Sequence, residues 1–110
     1  MNDRLSPQNA LAKLAQSHGE EFITVFRHGT LEVEIYQPEK VDRQQAHTRD
    51  EIYVVISGTG YFVKGLERCP FQPGEFIFVP AGLQHWFDDF SDDFATWVFF
   101  YGPEGGEKES

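Results

Sequence analysis

The fold is decided by two neighbouring stretches, QAHTRDEIYVVISG at residues 45–58 and GEFIFVPAGLQH at residues 74–85. Each joins a histidine to a run of β-branched and aromatic residues, a composition that favours strands. The first stretch also carries a glutamate, Glu51. Two histidines and one carboxylate form a ligand set for divalent transition metals. The two stretches therefore predict β-structure with a metal site made of His47, Glu51 and His85.

The chain must bend for these three side chains to meet. His47 and Glu51 would face the same side of a regular strand, but four residues of strand would hold them ~13 Å apart. We therefore expect a turn or bulge between them, at the rim of a barrel, where bulges often direct functional side chains. Pro80-Ala81-Gly82 reads as a tight turn that would carry His85 back inside.

The spacing of these residues resembles the two motifs of the cupin superfamily. Glu51 follows His47 after three residues, and Gly58 follows Glu51 after six. The second motif is matched at Gly74, Pro80, Gly82 and His85, with Asp89 where the family usually has Asn. The first motif is degenerate, because Gln45 stands in the place of its first His and no Gly precedes it at the usual distance.

The resemblance implies an all-β, double-stranded β-helix barrel of the cupin or jelly-roll type, built from a single module. It also implies that the barrel holds one metal ion between the two motifs. Imidazole and carboxylate ligands suit Fe, Zn, Ni, Mn or Co, and the sequence does not choose among them. Gln45 is either a further ligand through its amide oxygen or a hydrogen-bonding partner of a metal-bound water.

The remaining sequence supports a barrel preceded by a helix. Ser6-Pro7 is a typical helix start, and apolar residues at helical spacing predict a short helix over 7–17. Alternating segments then predict eight strands, at 21–26, 31–36, 51–57, 59–64, 67–71, 75–79, 84–87 and 94–101. We expect an N-terminal helical segment at 1–19, one barrel domain at 20–102 and a flexible tail at 103–110 that is too polar to pack.

Composition narrows the possible partners. A net charge of −9 repels phosphate backbones and anionic lipids, so we expect neither nucleic acid nor a membrane as a partner. Cys69 is the single cysteine and cannot form an intramolecular disulfide. The N-terminus lacks the basic and apolar regions of a secretory signal, and no run is long enough to span a bilayer. These features predict a cytoplasmic protein that binds a small molecule.

Three further residues are predicted to line a pocket beside the metal. Tyr53 shares the strand parity of Glu51, and Phe87 shares that of His85, so both should face inward. Arg49 is the third: it is either a binding group for a carboxylate or oxyanion, or a solvated cation at the rim. Aromatic walls favour a small, partly apolar ligand over a highly charged one.

Function remains divided between an enzyme and a binding protein. The open ligand set suggests a dioxygenase-like enzyme acting on an enolic or aromatic substrate, with Glu51 as both ligand and catalytic proton acceptor. The alternatives are a metal-dependent isomerase, in which the ion acts as a Lewis acid, and a non-catalytic module that binds or senses a small molecule. Small cupins commonly pair, so the resemblance also predicts a homodimer.

Overall fold

The computed structural model describes residues 3–108. Within this range the chain forms one helix and eight strands: α1 (Pro7–Ala15), β1 (Phe22–His28), β2 (Leu31–Tyr36), β3 (Asp50–Ser57), β4 (Gly60–Lys64), β5 (Glu67–Phe71), β6 (Phe76–Val79), β7 (His85–Asp88) and β8 (Ala95–Tyr101). The helix ends two residues earlier than the sequence predicts, and each predicted strand is present within one or two residues.

The strands form two antiparallel sheets that face each other. The larger has the order β1-β2-β8-β3-β6 and the smaller has the order β5-β4-β7. Aromatic side chains fill the space between them, with Tyr53, Phe62, Phe71, Phe87 and Phe94 all buried. Large rings suit a small barrel because its interior must be closed by side chains.

The helix packs on the outside of the larger sheet. Ser6 accepts a hydrogen bond from the backbone N–H of Asn9, and the Asn9 side chain accepts one from the backbone N–H of Ser6, which closes the first turn. Ala10 and Leu14 bury their side chains against Ile35 of β2. Across residues 3–108, no helix is both long enough and apolar enough to cross a membrane.

The orientation of β2 follows from this packing. Ile35 faces the helix on the outer side, so the alternate residues Glu32, Glu34 and Tyr36 point into the barrel, where they line a cavity. The polar face of this strand is therefore the inner face. Because the cavity is open, water can hydrate these carboxylates, whereas a packed core would exclude water from them.

The segment after β8 makes hydrogen bonds to the barrel. The N–H of Gly105 donates to the Thr48 carbonyl over 2.7 Å, and the N–H of Glu107 donates to Asp50 Oδ2 over 2.8 Å. Backbone hydrogen bonds hold this segment, so its low apolar content does not decide its position. Residues 109 and 110 of the predicted tail lie outside the described residues.

Candidate metal centre

Three elements bring the predicted metal ligands together. Glu51 lies at the start of β3, His85 opens β7, and His47 lies in the loop that precedes β3. One ligand atom from each lies within 4.8 Å of the others. Glu51 Oε1 is 2.9 Å from His85 Nε2 and 3.9 Å from His47 Nε2. The expected bend between His47 and Glu51 is present, because the chain before Asp50 is irregular and not strand.

The buried atoms of this cluster fit a cation. Glu51 and His85 are 1% and 2% exposed. Both Glu51 oxygens and His85 Nε2 lack hydrogen-bond partners among the described residues, although Glu51 Oε1 lies 2.9 Å from His85 Nε2. Burying an unpartnered carboxylate costs several kilocalories per mole, on the order of 3–5 kcal/mol by the penalty measured for broken buried ion pairs. A divalent ion would satisfy all three atoms together, so the residues present fit a metal.

The two histidines differ in how readily they carry a proton, and only the shift at His47 favours metal binding. The Leu83 carbonyl accepts from His85 Nδ1 over 2.9 Å, which in the neutral ring leaves the Nε2 lone pair directed at Glu51. Burial lowers the pKa of His85, but the Glu51 carboxylate and the Leu83 carbonyl together raise it above its ordinary value. Burial lowers the pKa of His47, which favours the neutral form that binds metals.

The loop that carries His47 is tied to three parts of the barrel. Asp42 is buried and accepts hydrogen bonds from the Tyr36 hydroxyl over 2.6 Å and from the Phe87 backbone N–H over 2.8 Å. The His47 carbonyl accepts from the N–H of Gly82 over 2.7 Å. Gly82 has φ of +82°, a backbone conformation that glycine adopts without strain, so the turn before His85 also fixes the backbone of His47.

Two of the three candidate ligands, His47 and Glu51, line one side of an open cavity of about 470 Å³, and His85 lies behind Glu51, 2.9 Å from it. This volume suits a small molecule. Four carboxylates line the wall, from Glu21, Glu32, Glu34 and Glu51, together with two guanidinium groups, from Arg43 and Arg49. With every group ionised the wall carries two net negative charges, which a single divalent ion would balance.

Glu34 is the carboxylate of the cavity with the most altered acidity. Burial, and after it the charges of Glu32 and Glu51, raises the pKa of Glu34 from 4.5 to about 7, although Arg27 opposes the change. It lies across the floor of the cavity from the metal ligands, because β8 separates β2 from β3. Two strand spacings correspond to ~10 Å between the backbones. Glu34 is therefore a carboxylate able to exchange a proton near neutral pH.

Of the other predicted site residues, Arg49 lines the cavity, whereas Tyr53 and Phe87 do not. Arg49 lies in the cavity wall, where its guanidinium donates to the Thr30 carbonyl over 2.6 Å and lies 3.9 Å from Glu32. Tyr53 and Phe87 point inward, but their rings pack with each other in the core, 4.8 Å between centroids, and do not line the cavity. The cavity opens over β2, β8 and β3, while Phe87 lies on β7 in the facing sheet.

Gln45 is not brought to this cluster. Its side chain is exposed, whereas the neighbouring Gln44 lines the cavity and contacts His47. The resemblance assigned Gln45 to the site, because it occupies the motif position of the first His. Residues 41–47 are not strand, so the sequence position does not fix which side chain faces inward there. Sequence reasoning also missed Glu32 and Glu34. Their alternation with apolar residues indicates two different faces of β2, but not which face is internal.

The fold and the site together define a small barrel protein with a candidate centre of two His and one Glu. The cupin domain family matches residues 32–101, and the chain belongs to that family. Among solved structures, a Klebsiella pneumoniae protein with a double-stranded β-helix domain superposes with a TM-score of 0.72 at 15% identity, over 92% of this chain and 90% of that one. The predicted family and fold class are confirmed.

Curated relatives resemble part of the chain. An uncharacterised protein of Streptomyces coelicolor is 38% identical over 63 residues, which cover 57% of this chain and 60% of that protein. An acireductone dioxygenase of Pectobacterium atrosepticum is 34% identical over 73 residues, which cover 61% of this chain and 42% of that enzyme. The chain thus spans only part of the length of the relatives it matches.

Proposed function

We propose that this chain is a metal-dependent enzyme of the dioxygenase-like type that acts on a small enolic or aromatic substrate. The observation that carries the proposal is the convergence of His47, Glu51 and His85, with unpartnered buried ligand atoms, at the wall of a cavity of about 470 Å³. The partial similarity to acireductone dioxygenases supports the reaction class.

The residues divide between holding the ion and handling the substrate. His47, His85 and Glu51 would hold a divalent ion, and this set of ligands suits Fe, Zn, Ni, Mn or Co. When bound, the ion would supply Lewis-acid or redox chemistry to an enolic or phenolic oxygen. The apolar surface of Val98 and Phe100 forms part of the cavity wall beside Glu51 and offers a face for an aromatic or enolic plane.

Proton transfer has two candidate groups. Glu51 is the acceptor predicted from the sequence, and its carboxylate faces the cavity from the ligand cluster. Glu34 faces the same cavity, and its raised pKa of about 7 suits a general base near neutral pH. The Arg49 guanidinium, held at the rim by Thr30, is positioned to attract an oxyanion of the substrate.

Oxygen uptake after anaerobic iron loading tests the enzymatic proposal. We expect turnover with members of a panel of small enols, catechols and flavonols. Glu51→Gln should lower the rate of oxygen uptake by much more than it weakens substrate binding, since it removes both a charge and a proton acceptor. Cys69→Ser, on exposed β5, serves as the matched control with unchanged uptake. No turnover with any of the five metals would contradict the proposal.

The second candidate function is a non-catalytic module that binds or senses a small molecule. It is favoured by one observation, the glutamine in the first motif where the family has a histidine, because a reduced ligand set weakens the case for redox chemistry. Micromolar binding of a small molecule without turnover would select this function. Conversion of the substrate without oxygen consumption would instead select the metal-dependent isomerase.

We also propose that the chain forms a homodimer through the outer face of its larger sheet. Register across the five strands places apolar residues side by side, in the row Phe26, Val33, Phe99, Ile52 and Phe78. Phe78 is 38% exposed, and Phe76 on the same face of β6 is 63% exposed. Exposed apolar surface of this extent usually marks an interface.

Light scattering at micromolar concentration tests the dimer. Wild-type protein should have the mass of two chains, and Phe78→Glu should shift it to one. Leu66→Glu, at the fully exposed turn between β4 and β5, is the matched control that should stay dimeric. A monomeric wild-type protein would contradict the proposal.

We propose that the protein is cytoplasmic and that it binds neither nucleic acid nor a membrane. The net charge of −9 supports the second of these, because it opposes binding to anionic polymers and lipids. Fractionation of the producing cells, with gel-shift and vesicle-sedimentation assays on the purified protein, would test them.

A further inference from the structure

The orientation of the Gln44 side chain is fixed by Asp42. Gln44 Nε2 donates to Asp42 Oδ2 over 2.7 Å, and the Gln44 backbone N–H donates to Asp42 Oδ1 over 3.0 Å. An ionised carboxylate only accepts hydrogen bonds, so the amide nitrogen must face Asp42 and the amide oxygen must face away from it. Asp42 is itself held by Tyr36 and Phe87, so it cannot turn to follow another partner.

The amide oxygen then lies against the candidate metal ligands. Gln44 Oε1 accepts from the Tyr53 hydroxyl over 2.8 Å and lies 3.3 Å from His47 Nε2. Atoms that bind one ion at ~2.0–2.2 Å stand roughly 3 Å apart when they occupy adjacent positions. The separation between Gln44 Oε1 and His47 Nε2 therefore has the value expected for two neighbouring ligands.

Metal binding would change what Gln44 Oε1 faces. Without an ion, the His47 ring can carry a proton on Nε2 and donate it to this oxygen. When Nε2 binds a metal it carries no proton, so two electronegative atoms would lie 3.3 Å apart with no proton between them. The bonds to Asp42 and Tyr53 prevent Gln44 from turning away. A cation bound by both atoms removes the repulsion.

We propose that Gln44, through its amide oxygen, is a fourth protein ligand of the divalent ion, with Asp42 and Tyr53 as positioning residues. This inference rests on the proposed metal site and extends it to two His, one Glu and one Gln. A neutral amide in place of an imidazole leaves the ion more electrophilic, because an amide oxygen donates less strongly. Six-coordinate metals would keep two positions for a substrate that binds through two oxygens.

Zn²⁺ affinity, measured by competition with a chromophoric chelator, gives the first test. Gln44→Met keeps the length of the side chain and removes the amide, and we expect it to weaken binding by at least about tenfold. A second variant, Gln44→Ala, should behave in the same way. Gln45→Ala is the matched control, because Gln45 is adjacent but exposed, and its affinity should equal that of the wild type.

NMR of the Gln44 side-chain amide distinguishes a ligand from a residue that only positions one. Coordination of the carbonyl oxygen to diamagnetic Zn²⁺ should shift the Gln44 Cδ and Nε2 resonances, while those of Gln45 stay in place. Weakened affinity with unmoved Gln44 resonances would overturn the assignment, as would unchanged affinity in both Gln44 variants. If His47→Ala and His85→Ala also bind like the wild type, the metal site itself fails, and the inference fails with it.

Discussion

Replacing Glu34 with Gln should change how the free energy of unfolding depends on pH. The carboxyl group of Glu34 is partly buried in the cavity wall, and burial together with the charges of Glu32 and Glu51 raises its pKa from 4.5 to about 7. Between these values the folded chain holds a proton that the unfolded chain has lost. Stability is therefore fully present below about pH 4.5 and falls as the pH rises through about 7.

The size of the effect follows from the same values. A pKa raised from 4.5 to about 7 corresponds to roughly 3 kcal/mol of lost stability if water does not screen the charge. The cavity is open to solvent, so we reduce the expected loss to ~1–2 kcal/mol. Glu34→Gln cannot ionise, and it should be more stable than the wild type by this amount at pH 8, with little difference at pH 4.5.

Urea unfolding of the metal-free protein, with chelator present, measures this difference at a series of pH values. Glu67→Gln, on the exposed strand β5, is the matched control and should keep the wild-type profile. Parallel profiles for the wild type and Glu34→Gln would refute the account of Glu34. Metal loading should reduce the difference, because the ion neutralises the charge of Glu51 that contributes to it.

Three further predictions concern the site and its frame. His85→Ala should lose bound metal after chelation and reloading, measured by elemental analysis, whereas exposed His28→Ala should retain it; equal retention would remove the site assignment. Asp42→Asn should lower the free energy of unfolding by ~2–4 kcal/mol, because it places an NH₂ group against the buried donors of Tyr36 and Phe87. Denaturant titration measures this loss, and a stability equal to that of the wild type would contradict it. Gly58→Ala should cost at least ~2 kcal/mol in the same titration, since its Cβ would lie 2.5 Å from the Phe94 backbone and φ is +91°; wild-type stability would contradict the close approach.

The sequence predicted the regular elements from local alternation, and the two motifs predicted that His47, Glu51 and His85 would lie together. In the structure, one ligand atom from each of His47, Glu51 and His85 lies within 4.8 Å of the others. The rules fail where the backbone is irregular. The motif position selected Gln45, but the loop before β3 has no fixed period, and the hydrogen bonds of Asp42 orient Gln44 towards His47.

The orientation of β2 also could not be read from its sequence. Alternation shows that one face is polar, and the usual assignment of that face is to bulk solvent. Here α1 covers the apolar side through Ala10 and Leu14, which leaves the polar side for the interior. The orientation of β2 therefore depends on where α1 packs, and the residue pattern of β2 alone does not contain this information.

The inward polar face of β2 and the candidate metal ligands lie on different strands. Glu32, Glu34 and Tyr36 reach the cavity from β2, while the ligands come from β3, β7 and the loop before β3, with β8 between the two groups. Mutations at positions 32 and 34 can therefore change the charge and shape presented to a substrate while the ligand set stays intact. During divergence or directed evolution, this arrangement allows one metal centre to be paired with new substrates by changes in a single six-residue strand.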